Sequence, residues 1–149
     1  MKEGRVTEYD HDGNVVRDYP VPPFGRERKG CHGLEAFGNQ VYNVLRLKNG
    51  NTLIATGNGH SVLEVTPSKQ IVWEVHQHDL PGITLARVTS LEMLPGGNIL
   101  IGNCHAGPEN PQLMEVSSDR KVVWTFRDFH NLGNSVASSA TVGIDGVLC

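Results

Sequence analysis

The chain of 149 residues is built around a unit of four short apolar runs that recurs along its length. The clearest copy occupies residues 44–75, with runs rich in Val, Ile, Leu and Thr at 44–47, 51–55, 61–65 and 70–75. Gly, Asn, Pro or Ser ends each run, which is typical of consecutive antiparallel strands. Asn49-Gly50 lies between the first two runs and is a strong hairpin signal, because a type I′ turn needs positive φ at both central residues. We name the predicted strands a, b, c and d.

A second copy of the unit covers residues 91–126. Asn51-Thr-Leu-Ile54 returns as Asn98-Ile-Leu-Ile101, and Ile71-Val-Trp73 returns as Val122-Val-Trp124. Two partial copies flank these, since residues 6–16 match strands c and d and residues 38–41 recur as 133–136. The predicted organisation is a single domain over 1–149, divided into a partial unit 1–21, a long loop 22–40, full units 41–76 and 88–128, and a partial unit 134–149.

Four strands in every 40 to 50 residues are typical of a β-propeller, in which each unit forms one blade. We therefore predict an all-β fold, a β-propeller built of four-stranded antiparallel blades, with about three blades in this chain. No window shows the 3.6-residue periodicity of a long helix. Propellers close with about four to eight blades. We expect either a partial propeller that lacks N-terminal blades or one half of a six-bladed ring formed by self-association.

The runs Gly50-Asn-Thr-Leu-Ile54 and Ile71-Val-Trp-Glu-Val75 resemble the repeats of arylsulfotransferase-like and PQQ-like (quinoprotein-like) propellers, and the resemblance covers nearly the whole chain. It implies that Trp73 and Trp124 pack between blades. The arylsulfotransferase branch implies a channel histidine that accepts the sulfuryl group, with further His and Arg side chains stabilising the anion. The quinoprotein branch implies a quinone held by Trp and acidic calcium ligands, which the sequence does not show, so PQQ is not expected as a cofactor.

Loop parity places most histidines at one end of the predicted blades. In an up-and-down blade the a–b and c–d turns share one end, and the b–c and d–a loops share the other. Every histidine except His11 falls in a b–c or d–a loop, as do the long loop and an insertion at 106–112. We call this end the rim and expect the functional site there, because binding residues concentrate on loops held by a rigid scaffold.

Four of the candidate site residues come from a repeated motif on the rim, since Gly57-Asn58-Gly59-His60 recurs as Gly102-Asn103-Cys104-His105. Imidazole serves as acid, base, nucleophile or metal ligand. We predict His60 and His105 as catalytic residues, and His32, His60 and His105 as ligands of a divalent metal such as zinc or copper. The predicted binding residues are His32, Asn58, Asn103, Arg46 and Arg87.

Each of these assignments also has an alternative in which the residue has only a structural role. Gly-Asn begins a turn in any such repeat, and the histidine that follows caps the next strand without chemistry. Cys31-His32 and Cys104-His105 repeat one dipeptide, which fits either small buried thiols or a shared metal or redox site.

The charge composition bears on which classes of partner to expect. Thirteen Lys and Arg against sixteen Asp and Glu give a net charge of −3 with no basic stripe, so neither nucleic acid nor an anionic membrane is an expected partner. No apolar run approaches the roughly 18 residues of a membrane span, and the N-terminus lacks the apolar core of a signal peptide. We expect a soluble chain whose compartment is unassigned, extracytoplasmic if N-terminal residues are missing.

Three function classes follow. The first is a binding or scaffold propeller whose His-rich rim takes a small molecule or a protein ligand. The alternative is an enzyme that transfers a sulfuryl group through a channel histidine. The second alternative is a propeller that binds zinc or copper.

Overall fold

A computed structural model describes residues 4–31, 33–38 and 40–141. Within these ranges the chain forms ten strands and one short helix. The strands are β1 (Arg5–Tyr9), β2 (Val15–Pro20), β3 (Asn43–Arg46), β4 (Thr52–Ala55), β5 (Val62–Val65), β6 (Ile71–Val75), β7 (Arg87–Met93), β8 (Ile99–Cys104), β9 (Leu113–Val116) and β10 (Val122–Phe126), and the helix is α1 (Phe129–Leu132).

The strands form three antiparallel sheets, and none of them closes on itself. The first sheet is the hairpin β1-β2, the second has the order β3-β4-β5-β6, and the third pairs β7, β8, β9 and β10 in chain order. The expectation of an all-β, antiparallel chain without a long helix is confirmed in the described part of the chain, where 39% of the residues are in strands and 3% in a helix.

The turn of the first hairpin has the geometry of the two c–d turns, and all three hairpins have a register shift beside the turn. Backbone hydrogen bonds close the turns between Asp10 and Asn14, Thr66 and Gln70, and Ser117 and Lys121, at 2.8 to 2.9 Å. In each turn the residue before the last has a left-handed backbone: Gly13, Lys69 and Arg120.

The sheets stack face to face, with the second sheet in the middle. Strand β4 is buried on both faces, which explains its uninterrupted apolar sequence. Ile54 packs toward the first sheet with Tyr19 and Val21, while Leu53 packs toward the third sheet with Ile101. Two apolar cores therefore hold the three sheets together.

The predicted unit boundaries differ from the sheets in detail. β7 begins at Arg87, one residue before the predicted unit 88–128. The long loop contains an isolated bridge between Lys29 and Phe37, and the predicted partial unit has no strand over residues 134–141. Residues 142–149 lie outside the described part of the chain. Across the described ranges, the structure has no helix of the length and apolarity that crossing a membrane requires.

Candidate functional site

His60 lies in the b–c loop that connects β4 with β5. Thr56 N–H donates to the Ser61 carbonyl at 3.1 Å, and the Thr56 hydroxyl donates to the same carbonyl at 2.9 Å. Gly57 and His60 both have positive φ, at 57° and 53°. The tight loop turns the imidazole inward, where its exposure is 0%.

Both ring nitrogens of His60 contact backbone carbonyls. Nδ1 meets the Ala86 carbonyl and Nε2 meets the Ala36 carbonyl, so one side chain ties the long loop and the loop before β7 to the second sheet. Burial lowers the pKa of His60, and the two carbonyls raise it by less. Because both ring nitrogens face backbone carbonyls, the geometry gives His60 a structural role, and its assignment as catalyst or metal ligand stays a prediction.

The two copies of the Gly-Asn-x-His motif are not structurally equivalent. Asn103 N–H donates to the Gln112 carbonyl at 2.8 Å, in the same place as the Thr56 to Ser61 bond. Asn103 therefore corresponds to Thr56, and His105 corresponds to Asn58 rather than to His60. The motif alignment was wrong because it follows residue identity, whereas the ladder of β8 and β9 determines which positions match.

His105 has a separate set of contacts. Its Nδ1 lies 2.9 Å from Cys104 Sγ, its Nε2 lies 3.4 Å from Ser135 Oγ, and its backbone N–H donates to the Asn134 carbonyl at 2.7 Å. Burial raises the pKa of the Cys104 thiol, which therefore stays protonated at neutral pH. These contacts fasten residues 134–135 to the third sheet.

The predicted three-histidine metal site is left without structural support in the part of the chain that the structure describes. No group of three or more His, Cys, Asp or Glu side chains there is arranged to hold a metal ion. His32 lies outside the described residues. Cys31 is exposed and Cys104 is buried, and both are free thiols.

The side chains of the two asparagines in the motif form hydrogen bonds with backbone groups. Asn103 is 1% exposed. Its Oδ1 accepts from Ala86 N–H at 2.7 Å and its Nδ2 donates to the Thr84 carbonyl at 3.1 Å. Asn58 Nδ2 donates to the Cys31 carbonyl at 3.3 Å.

The two predicted arginines lie at opposite ends of the sheets. Arg87 is at the rim, with its guanidinium 4.4 Å from the centroid of the Tyr42 ring. Arg46 ends β3 beside the a–b turn, where it contacts Glu8 and donates to the Gly50 carbonyl at 2.8 Å. Strand a runs away from the rim, so Arg46 lies apart from the rim residues, and its role as a binding residue stays a prediction.

A cleft of 280 Å³ opens on the rim where the long loop meets the loop after β6. It is lined by Phe24, Arg26, Phe37, Gly59, His76, Gln77, His78 and Asp79. Loop parity predicted His76 and His78 at this end of the sheets. The aromatic and Arg26 contributions were missed, although the length of the 22–40 loop was a signal that it carries a site.

The cleft is held in shape by contacts between its two loops. The Arg26 guanidinium lies 4.2 Å from the centroid of Phe37 and donates to Gln77 Oε1 at 2.9 Å. Gln77 Nε2 donates in turn to the Leu34 carbonyl at 2.8 Å. The Phe24 ring meets His76 edge to face, with centroids 4.9 Å apart. The guanidinium is thus placed in the cleft before any ligand arrives.

Two carboxylates near the cleft, those of Asp79 and Glu74, each contact His76. Asp79 Oδ2 accepts from His76 N–H at 2.8 Å, and Glu74 Oε2 lies 3.0 Å from His76 Nε2. His78 is exposed in the same cleft. The site therefore combines one guanidinium, two imidazoles and two aromatic rings.

A larger groove of 790 Å³ lies at the opposite end of the sheets, between the a–b turns. Leu45 and Leu47 line one side, while Leu91, Met93 and Leu94 line the other. The lining is mostly apolar, and its cations are Arg46 and Lys48. The sequence did not single out this groove.

No protein-family model and no curated protein matches the chain. A solved crystal structure of a protein of unknown function from Bacteroides caccae is similar, with 26% sequence identity and a TM-score of 0.68. The match covers 89% of this chain and 45% of that chain, so the present chain spans less than half the length of the solved protein.

Proposed function

We propose that the three sheets are successive blades of a β-propeller, and that the chain is a binding module whose rim cleft takes a small ligand. The ligand carries one anionic group, such as a carboxylate, next to a flat apolar part. The observation that carries this proposal is Arg26, held between the Phe37 ring and Gln77 and flanked by His76 and His78.

The propeller arrangement is supported by three features. Each four-stranded sheet keeps its strands in chain order. The sheets stack through repeated faces, with apolar cores on both sides of the second sheet. The strands that begin the second and third sheets, β3 and β7, also contact each other, as inner strands around a common axis do.

The ligand class follows from the chemistry of the cleft. A guanidinium presents a planar fork of donors that matches a carboxylate or a related oxyanion, and it also stacks on aromatic rings. Phe24 and Phe37 offer apolar surface beside it. Asp79 and Glu74 stand close by, so we expect one negative charge on the ligand rather than several.

Binding without chemistry is favoured over the two alternatives. Sulfuryl transfer through His60 would require a ring nitrogen open to the donor, and both nitrogens of His60 contact backbone carbonyls. A metal site requires converging ligands, and the described residues form no such group.

The test is a titration with benzoate, followed by amide chemical shifts, with benzyl alcohol as the uncharged comparison. We expect benzoate to shift resonances of Arg26, Phe37 and residues 76–79, and benzyl alcohol to bind more weakly. Arg26→Gln should weaken benzoate binding about tenfold or more, because a hydrogen bond to a charged group contributes about 1.5–3 kcal/mol.

Arg120→Gln is the matched control, because it removes an exposed cation from a c–d turn at the other end of the sheets. It should leave benzoate binding unchanged. Benzoate shifts that are the same in the wild type and in Arg26→Gln would contradict the proposal.

A further inference from the structure

We propose that the outward face of the third sheet binds the β1-β2 hairpin of a second copy of this chain, head to tail. The inference rests on the stacking of the sheets and not on the rim ligand. It names the surfaces and the residues through which two copies would meet.

The third sheet repeats, on its uncovered side, a row of residues that the second sheet uses for packing. In the second sheet Trp73 pairs with Glu64 across β6 and β5, and this row faces the third sheet. In the third sheet Trp124 pairs with Glu115 in the same register. The complete rows are Leu45, Leu53, Glu64 and Trp73 in the second sheet, and Glu92, Leu100, Glu115 and Trp124 in the third.

The glutamate in each row is prepared for burial in the same way. Asn51 Nδ2 donates to Glu64 Oε1 at 2.6 Å within the covered interface. Asn98 Nδ2 donates to Glu115 Oε1 at 2.6 Å on the outward face. A carboxylate that is removed from water needs such a partner. The outward face therefore carries the polar arrangement of a covered one.

The tryptophan shows what the cover supplies. Trp73 Nε1 donates to the Ser118 carbonyl at 2.9 Å, in the c–d turn of the next sheet, and the Trp73 ring packs into the core beside Val116 and Val122. Trp124 occupies the equivalent position but is 47% exposed. A sheet that covers Trp124 should therefore supply a c–d turn and two apolar residues next to that turn.

The hairpin presents such a surface. Tyr9 and Val15 form a pair that corresponds to the pair Val65 and Ile71 in the second sheet. Val65 is 3% exposed, whereas Tyr9 and Val15 are 61% and 56% exposed. The turn after β1 has the same geometry as the turn that contains Ser118, and its position equivalent to Ser118 is His11.

Exposure at another position provides an internal comparison. Val16, Val72 and Val123 are equivalent positions of strand d, and all three are exposed. That position faces solvent in every copy of the repeat, including the covered second sheet. The exposure of Tyr9, Val15 and Trp124 is different, because their counterparts in the stacked sheets are packed.

The inner half of the outward face is already occupied by the chain itself. Thr141 N–H donates to Glu92 Oε2 at 3.0 Å, and Ser139 Oγ lies 3.5 Å from Ser90 Oγ. The outer half, formed by β9 and β10, carries the exposed Trp124. Strand β1 pairs only with β2 among the described strands, and such an edge accepts a further strand.

Two copies joined in this way supply four four-stranded sheets and two β1-β2 hairpins, which make six sheets in all. Six sheets fall within the range of about four to eight in which propellers close. A head-to-tail contact gives a ring when its rotation closes and a fibre when it does not.

Light scattering after gel filtration tests the proposal. We expect the wild type to show a mass twice the 16.3 kDa of one chain. Trp124→Ala and Tyr9→Ala should each shift the mass to that of a single chain at equal concentration. The control variants Val123→Thr and Val16→Thr alter exposed neighbours that face solvent in every repeat and should keep the double mass.

A mixing experiment identifies the head-to-tail arrangement. Tyr9→Glu and Trp124→Glu should each be monomeric alone, and a mixture should recover the double mass, because one Trp124 to Tyr9 contact stays intact. A monomeric wild type at about 1 mM, fibres, or a mixture that stays monomeric would overturn the proposal. The rim cleft lies within one copy, so benzoate binding by the Trp124→Ala monomer reports on the proposed function separately.

Discussion

At the scale of single residues, His60 shows how a chemically versatile side chain can serve packing alone. It is fully buried, and each ring nitrogen meets a backbone carbonyl from a different loop. A neutral imidazole carries one N–H and donates to only one of them. Protonation would satisfy both carbonyls, but burial outweighs this and lowers the pKa.

His60 should make stability depend on pH. Because its pKa is lowered in the folded state, the unfolded chain binds the proton more readily. The His60 contribution to stability is present above the unfolded pKa of about 6.5 and is lost as the pH falls below it. The urea concentration at the midpoint of unfolding should therefore decrease as the pH is lowered from 7.5 to 5.

His60→Asn should flatten this dependence, since Asn tolerates the left-handed backbone and does not titrate. His130→Asn changes an exposed imidazole and is the control. If the stability of His60→Asn depends on pH as strongly as that of the wild type, another titrating group causes the effect.

At the scale of elements, Gly57 joins two sheets. Its N–H donates to the Val88 carbonyl at 3.0 Å and its carbonyl accepts from Val88 N–H at 3.2 Å, which forms a bridge between the b–c loop and β7. Its φ is 57°, and an added Cβ would lie 2.1 Å from Tyr42 Cδ2. Backbone conformation and close approach both require glycine here.

Gly57→Ala should destabilise the fold by about 2–5 kcal/mol, because the left-handed backbone costs roughly 1–2 kcal/mol and overpacking adds about 1–3 kcal/mol. Gly82→Ala is the matched control, since its φ is 72° and nothing lies within 4 Å of an added Cβ. Urea unfolding of both variants separates the cost of the left-handed backbone, which both share, from the cost of overpacking, which only Gly57→Ala has. Equal losses would mean that the Tyr42 ring moves aside freely.

At the scale of the whole molecule, the second sheet is the part most protected from water. Leu53, Ile54, Val62 and Leu63 are at most 1% exposed, and they face apolar cores on both sides. The first sheet is a hairpin with one packed face. Stability is therefore expected to be graded along the stack.

Hydrogen exchange should reveal this gradient. In the Trp124→Ala variant, which isolates one copy, the amides of β4 and β5 should exchange only through global unfolding. The amides of β1 and β2 should exchange faster through local opening. Hairpin amides as slow as those of β4 would show that the three sheets unfold as one cooperative unit.

The sequence by itself determined the strands and turns of this protein. Alternation of apolar residues and turn residues such as Asn49-Gly50 are local signals, so the four-strand units, the first hairpin as strands c and d, and the absence of a long helix were predictable. The resemblance implied packing for both Trp73 and Trp124, and the structure packs Trp73 against the core whereas Trp124 is exposed.

Only the tertiary structure decided what the rim residues do. The carbonyls that meet His60 belong to residues 24 and 26 positions away, and a backbone carbonyl has no sequence signature. The rim cleft depends on two loops that meet only after the sheets stack, which hid Arg26 and Phe37 from a reading by motif. Register decided between two sequence alignments, because the hydrogen bonds between β8 and β9 match Asn103 with Thr56, in agreement with the repeat of Asn51 at Asn98 and not with the Gly-Asn-x-His motif.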